Sequence, residues 1–152
     1  MINKQFQTLK NNGLRSQTAG PLSISLARTQ TEIEEAQRLR YKVFAEEMGA
    51  QLLGTGGLDV DGFDQYCEHL IVRDNSTQQV IGTYRILNPE GANEAGGYYS
   101  AGEFDLSRLA HLFDSTVEVG RACVHHNYRN GGTITLLWAG LAKYMQMHNY
   151  EY

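Results

Sequence analysis

Several groups of residues have types and spacings that could do chemistry. The most compact is Tyr128-Arg129-Asn130-Gly131-Gly132-Thr133, which links an apolar run ending at Val124 to a long apolar-periodic segment. Glycines between a strand end and a helix start let the backbone approach an anion closely, and the unpaired N–H groups of the helix start point at it. The spacing is not a Walker loop, because no Gly-Lys-Ser/Thr follows, and it is not Gly-x-Gly-x-x-Gly. A tight turn chosen only for packing fits the same residues equally well.

A second group is Glu118-Val119-Gly120-Arg121. A period of two sends 118 and 120 to one side of a strand and 119 and 121 to the other. Glu118 at the open end of a sheet could serve as a general base, directly or through water, or could simply be a solvated strand residue. A third group is Asp61-Gly62-Phe63-Asp64 with Glu68 beyond it. Clustered carboxylates can hold a cationic amine, whereas the pattern lacks the ligand spacing of a calcium loop; a solvated acidic loop is the alternative. His125-His126 does not make a metal pair on a strand, where neighbours point apart. Cys123 lies in a run that reads as buried, where thiols are inert.

Positioning these groups requires a sheet and helices. Residues 1–21 read as a polar tail that ends in the turn Gly20-Pro21. Leu22, Ile24 and Leu26 alternate with serines, a half-buried strand. Thr31 and Glu34 stand at capping-box spacing and predict a helix from about Glu32 to Met48, stopping near Gly49. Ile33, Ala36, Val43, Phe44 and Met48 form its apolar stripe, and Arg40 projects along that stripe, so it needs an anionic partner. A Gly-rich acidic loop follows over 54–65. His69–Arg73 and Val80–Leu87 read as a hairpin across Asp74-Asn75-Ser76. Residues 88–102 read as a Gly-rich loop, Leu106–Phe113 as a short helix capped by Asp105, and Thr116–Val124 as a strand. A helix from about Thr133 to His148 would bury Ile134, Leu137, Trp138, Leu141 and Met145. This order predicts an α/β fold with helices on both faces of a mixed sheet.

Composition narrows the function classes. The 152 residues suit one domain, with 41% hydrophobic residues and a net charge of -4. Thirteen Lys and Arg against 17 Asp and Glu is not the basic footprint of a nucleic-acid binder. No apolar run approaches the ~20 residues of a membrane span, and the N-terminus lacks the apolar core of a secretory signal. With Cys67 and Cys123 as its only cysteines, the chain reads as reduced and cytoplasmic.

The loop Arg129 to Ile134 resembles the pyrophosphate-cradling motif of the GNAT acyltransferase superfamily, which usually closes with Gly or Ala where this chain has Ile134. Five ordered segments resemble a narrower branch: Arg38-Leu39-Arg40-Tyr41-Lys42-Val43-Phe44, Asp61-Gly62-Phe63-Asp64, His69-Leu70-Ile71-Val72, Gly82-Thr83-Tyr84-Arg85 and Glu118-Val119-Gly120-Arg121. That branch holds the ornithine N-acyltransferases of ornithine-lipid synthesis, also labelled hemolysin-like, and the related acyl-homoserine-lactone synthases. The resemblance covers about residues 22–152, the span expected to form the domain. Ala50 and Gly120 depart from the lactone synthases, which carry Trp and often Ser there and use S-adenosylmethionine, and the Glu118-Val119-Gly120-Arg121 run and the Leu137-Trp138-Ala139-Gly140-Leu141 segment resemble the ornithine type more closely.

The resemblance implies a GNAT-like, mostly antiparallel sheet. It also implies transfer of a (3-hydroxy)fatty acyl chain from acyl carrier protein to an amino acid's amino group, ornithine above all. An autoinducer-type synthase and a non-catalytic carrier-binding module are the alternatives. It implies Glu118 and Arg121 as catalytic residues and Arg40, Phe44, Asp61, Asp64 and Arg85 as substrate-binding. Val124, Arg129, Asn130, Gly131, Gly132 and Thr133 would hold the donor's phosphopantetheine. No metal and no tightly bound cofactor are implied; acyl carrier protein or acyl-CoA is the donor, and a small-molecule amine the acceptor. Peripheral contact with the inner membrane and a homo-oligomer stay open. Arg40 and Arg121 are expected to pair with Asp61, Asp64 or Glu118. Tyr150-Glu151-Tyr152 reads as the start of a further strand, to be completed by more of this chain or by a second chain.

Overall fold

A computed structural model describes residues 17–52 and 54–152. Five strands form one sheet in simple sequence order, every pair antiparallel: β1 (Gln17–Ala19), β2 (Leu22–Leu26), β3 (Glu68–Asp74), β4 (Val80–Leu87) and β5 (Glu118–Val124). The polar tail expected over 1–21 falls outside the described residues up to position 16, but Gln17–Ala19 pair with β2 across the Gly20-Pro21 turn. All four strand pairs are antiparallel, in line with the mostly antiparallel sheet expected. Among the described residues a parallel contact lies between 115–117 and Tyr152. Val117 N–H donates to the Tyr152 carbonyl at 2.8 Å, and Tyr152 N–H donates to the Ser115 carbonyl at 3.2 Å. That alternation is the start of a parallel ladder beside the approach to β5, as the Tyr150-Glu151-Tyr152 reading expects.

Helix α1 (Gln30–Tyr41) begins at Thr29, not Thr31. Thr29 Oγ1 accepts from Glu32 N–H, and the Glu32 carboxylate accepts from Thr29 N–H, a complete capping box. The sequence offers the same pattern at two registers. The earlier one wins because Ala27 still pairs with His69, at 2.8 Å, and the chain turns at once after it. Beyond Tyr41 the helix widens into a π-helical stretch, Lys42–Glu47. Met48 is swung off the apolar stripe and is 71% exposed. Pro89–Ala95 forms a short helix, α2, inside the span read as loop. Asn88 caps it, Pro89 sits in its first turn and Gly96 closes it in the left-handed region, a local grammar that the surrounding glycines masked. Ser107–Ser115 is 3₁₀, entered through the Asp105 carboxylate accepting from Ser107 N–H at 2.9 Å.

Helix α3 (Gly132–His148) buries Thr133, Leu137, Gly140 and Tyr144 against β2, β3 and β4. A Cβ on Gly140 would lie 2.4 Å from Ile24 Cδ1, and one on Gly82 would lie 2.6 Å from Thr133 Cγ2. Two missing side chains thus bring helix and sheet close. Ile134 and Trp138, expected inside, are 38% and 66% exposed, because the buried stripe is turned toward the 133–137–140–144 line. Leu141 and Met145 flank it half-buried. Leu70 and Val72 face α3, whereas Ile71 faces α1 through Ala36, Leu39 and Val43, so the helices cover opposite faces as expected. A third cluster gathers Leu87, Ala92 and Tyr98, with Phe63 and Phe113 packed against it.

Candidate active site

Arg40 enters the α1 face with no exposed surface. A guanidinium withdrawn from water needs its charge and donors matched. Its Nε meets Asp59 Oδ2 at 2.9 Å, its Nη2 meets Asp64 Oδ1 at 2.7 Å, and its Nη1 lies 3.3 Å from His69 Nδ1. Arg85, on β4, reaches Asp61 Oδ1 at 2.7 Å and Asp64 Oδ2 at 3.1 Å. Arg121, on β5, reaches Asp59 Oδ2 and Asp61 Oδ2, both at 3.1 Å. The loop between α1 and β3 is thus held to the sheet by three arginines on three aspartates. The expected pairing of Arg40 and Arg121 holds for Asp61 and Asp64 but not for Glu118. Asp59, inside the acidic loop of 54–65 but not singled out there, is a hub of the network; the Asp59-x-Asp61-x-x-Asp64 run was the available clue.

Electrostatics follow from this packing. Burial raises the Asp64 carboxyl, but the Arg40 charge, the Asp61 N–H and Arg85 outweigh it and hold the group at about 2. Burial and the Arg40 charge push the His69 imidazole down to about 4, against the opposing pull of Asp64, so it is neutral at physiological pH. Its Nδ1 then accepts from Arg40.

Glu118 has different partners. Its carboxylate accepts from Tyr99 N–H at 2.6 Å, from Ser100 N–H at 2.9 Å and from the Ser100 hydroxyl. It therefore holds a 3₁₀ turn, Tyr99–Gly102, against the end of β5. The Tyr99 ring lies 5.6 Å from the Arg85 guanidinium carbon and 5.7 Å from that of Arg121, and meets Phe63 edge-on at 5.3 Å. Arg121 reaches this side because β5 bulges: Arg121 and Ala122 stand opposite Tyr84 alone, and Arg121 takes a φ of +53°. The strict alternation expected for 118–121 fails there, since a bulge re-aims one side chain. Phe63, Arg85, Tyr99, Ser100, Glu118 and Arg121 line a cleft of about 200 Å³.

The other implied substrate contacts lie outside this cleft. Arg40 and Asp64 are buried, and Phe44 packs half-buried on the α1 cluster. Asp61 is partly exposed but committed to two arginines.

The glycine loop joins β5 to α3. Gly131 caps α3 with a φ of +92°, a conformation that suits glycine. Gly132 has no such restriction, and a Cβ there would meet only Asn130 Oδ1, at 3.5 Å. Asn130 Oδ1 accepts from Gly132 N–H at 3.2 Å. Arg129 donates to the Val124 carbonyl at 3.0 Å and pairs with Glu47 at 2.6 Å. Thr133 is turned into the core, so only its backbone faces the loop. The Tyr128 hydroxyl donates to Asp74 at 2.7 Å and ties the loop to the β3–β4 turn, a pin with no sequence signature. His125 and His126 do not point apart as on a strand: His126 opens a 3₁₀ turn and the rings stack at 4.4 Å. Among the described residues no group of three metal-ligating side chains converges, and no helix is long and apolar enough to cross a membrane. Burial pushes the Cys67 and Cys123 thiols up to about 12, leaving them poor nucleophiles.

The chain is similar to known proteins along most of its length. It is 39% identical to an L-ornithine N(alpha)-acyltransferase of Brucella abortus over 142 residues, 87% of this chain and 50% of that protein. It is 41% identical to the protein of that name from Rhizobium meliloti over 140 residues, 86% of this chain and 47% of that protein. The chain thus spans about half the length of these relatives. Among solved structures, that of the acyl-homoserine-lactone synthase LasI superposes with a TM-score of 0.57 at 18% identity, covering 85% of this chain and 68% of that one, a likeness of fold. The acetyltransferase (GNAT) domain model matches residues 39–139, from the buried face of α1 through the glycine loop into α3, and the chain belongs to the GNAT family.

Proposed function

We propose that this chain is an N-acyltransferase that moves a (3-hydroxy)fatty acyl group from a phosphopantetheine thioester to the α-amino group of an amino acid, ornithine in the first place. The observation that carries this reading is the charge balance of the cleft. Arg40, Arg85 and Arg121 are matched by Asp59, Asp61 and Asp64, so Glu118 is the surplus charge facing the opening. A cleft with one unmatched carboxylate suits a cationic amine. Relatives named for ornithine acylation support that choice.

An α-amino group has a pKa of about 8, so near neutral pH it must lose a proton before it attacks a thioester carbon. Glu118 takes that proton, Arg121 and Arg85 orient the acceptor, and the amine nitrogen forms the new amide as the thiol leaves. Backbone N–H groups at the β5 bulge stabilise the thioester oxygen. The N–H groups at the start of α3 receive the pantetheine phosphate, with the open space above Gly132 as the approach. Acyl carrier protein is the proposed donor carrier, and the proposed setting is the cytoplasm, beside an inner membrane that the amphipathic product would enter.

The test is a product screen. The chain is incubated with 3-hydroxyacyl-loaded acyl carrier protein, or the matching acyl-CoA, and ornithine, and acylated amines are identified by mass spectrometry. N-acylornithine is expected. Lactone formed only when S-adenosylmethionine is supplied would assign an autoinducer-type synthase instead. Donor binding without any acylated amine would leave a carrier-binding module and overturn the proposal.

A further inference from the structure

We propose that Ser100 is a catalytic residue: its hydroxyl receives a proton from the acceptor amine while passing its own to Glu118. This rests on the acyltransfer reading above and goes beyond its assignment of Glu118 alone. Both Glu118 oxygens are already occupied by backbone donors, Oε2 by Tyr99 N–H and Oε1 by Ser100 N–H. Those N–H groups cannot carry a proton inward. The Ser100 hydroxyl also donates to Oε1, and Ser100 lines the cleft. A hydroxyl is one donor and two acceptor lone pairs, so Ser100 can donate to the carboxylate and accept from an ammonium at once.

The step balances. The ammonium N–H proton moves to Ser100 Oγ, the former Oγ–H proton moves to Glu118 Oε1, and the nitrogen lone pair is released to attack the thioester carbon. As the tetrahedral adduct collapses, its nitrogen gives up its second proton to the departing thiolate, and Glu118 releases the first to solvent. Glu118 carries the charge change, and Ser100 ends each turnover as it began. The Tyr99–Gly102 turn sets the geometry, because Glu118 itself holds that turn in place.

The experiment compares wild type, Ser100→Ala, Ser100→Thr and Glu118→Gln in rate–pH profiles, with an acyl-loaded carrier protein and ornithine as probes. Circular dichroism confirms that each variant folds, and Ser100→Gly replaces Ser100→Ala if the latter does not. Ser100→Ala is expected to lower kcat about 10²-fold, with the donor KM unchanged. The deficit should shrink as pH approaches the amine pKa, in parallel with Glu118→Gln, while Ser100→Thr retains most activity. Wild-type kcat in Ser100→Ala with a slow Glu118→Gln overturns the relay and leaves Glu118 as the base. A deficit that stays constant across pH also overturns it, since a packing role has no reason to follow amine ionisation. Wild-type rates in both variants overturn the relay and the Glu118 assignment together, and absence of turnover in the wild type overturns the function proposed above.

Discussion

Replacing Arg40 by Met tests whether the site is held together by buried charge. Met keeps the stem's apolar packing and removes the guanidinium. Two ion pairs are lost, at 2.9 Å to Asp59 and 2.7 Å to Asp64, with side-chain exposures of 0%, 3% and 5% for the three residues. Removing one partner of a buried pair costs about 3–5 kcal/mol, here with Arg85 and Arg121 left as the remaining partners of Asp64 and Asp59. For a chain of 152 residues, each kcal/mol shifts the midpoint by roughly 2–4 °C, so the loss is about 6–20 °C. Arg73→Ala is the internal control. Its pair with Glu35 at 2.6 Å is partly solvated, with side-chain exposures of 18% and 37%, and such pairs contribute at most ~1 kcal/mol. The deficit also depends on pH. Asp64 sits at about 2 in the fold, against ~3.9 in an unfolded chain. A depressed carboxyl stabilises the fold above the unfolded value, and that contribution disappears as pH falls from about 4 to about 2. Without Arg40 the Asp64 carboxyl rises toward its ordinary range. The gap between wild type and Arg40→Met is therefore full near neutrality and narrows below about pH 4. Thermal melts followed by circular dichroism across that range measure it. A shift no larger than that of Arg73→Ala, or a gap that widens in acid, would refute the buried-network account.

Gly140→Ala should destabilise by about 1–3 kcal/mol in a denaturant melt, because the new Cβ meets Ile24 Cδ1 at 2.4 Å in a packed interface. Gly131→Ala should cost roughly 1–2 kcal/mol from its left-handed backbone, whereas Gly132→Ala should fold like wild type. Gly132→Val should weaken binding of a phosphopantetheine-bearing donor in calorimetry while leaving the melt unchanged, and unaltered binding would remove that loop from the donor site. Cys67 and Cys123, held at about 12 by burial, should alkylate far more slowly with iodoacetamide at mildly alkaline pH than after unfolding, as read by intact mass.

The strands β2 to β5, the hairpin turn at Asp74 and the long helix after the glycine loop follow from local pattern, because hydrophobic period and turn residues act over a few positions. The need for a partner to Arg40 was likewise legible, since a charge on an apolar stripe cannot stay unpaired. The aspartate run supplied the other half. Register and long-range choice were not. Two equivalent capping boxes stand at Thr29 and Thr31, and only the reach of the β2–β3 pairing decides between them. Which face of α3 is buried was settled by two glycines far apart in sequence, Gly82 and Gly140, that let Leu137 and Tyr144 approach the sheet and turned Trp138 outward. Glu118 was one of three carboxylates expected as a partner of Arg121. A bulge at Arg121 and a turn at Tyr99 gave them separate partners, because hydrogen-bond geometry across 18 or 19 residues of sequence is fixed only when the turn and the strand meet. The sequence by itself determined which residue types would be brought to the site; only the tertiary structure decided which of them touch, since a buried polar group takes whichever partner the packed backbone places within reach.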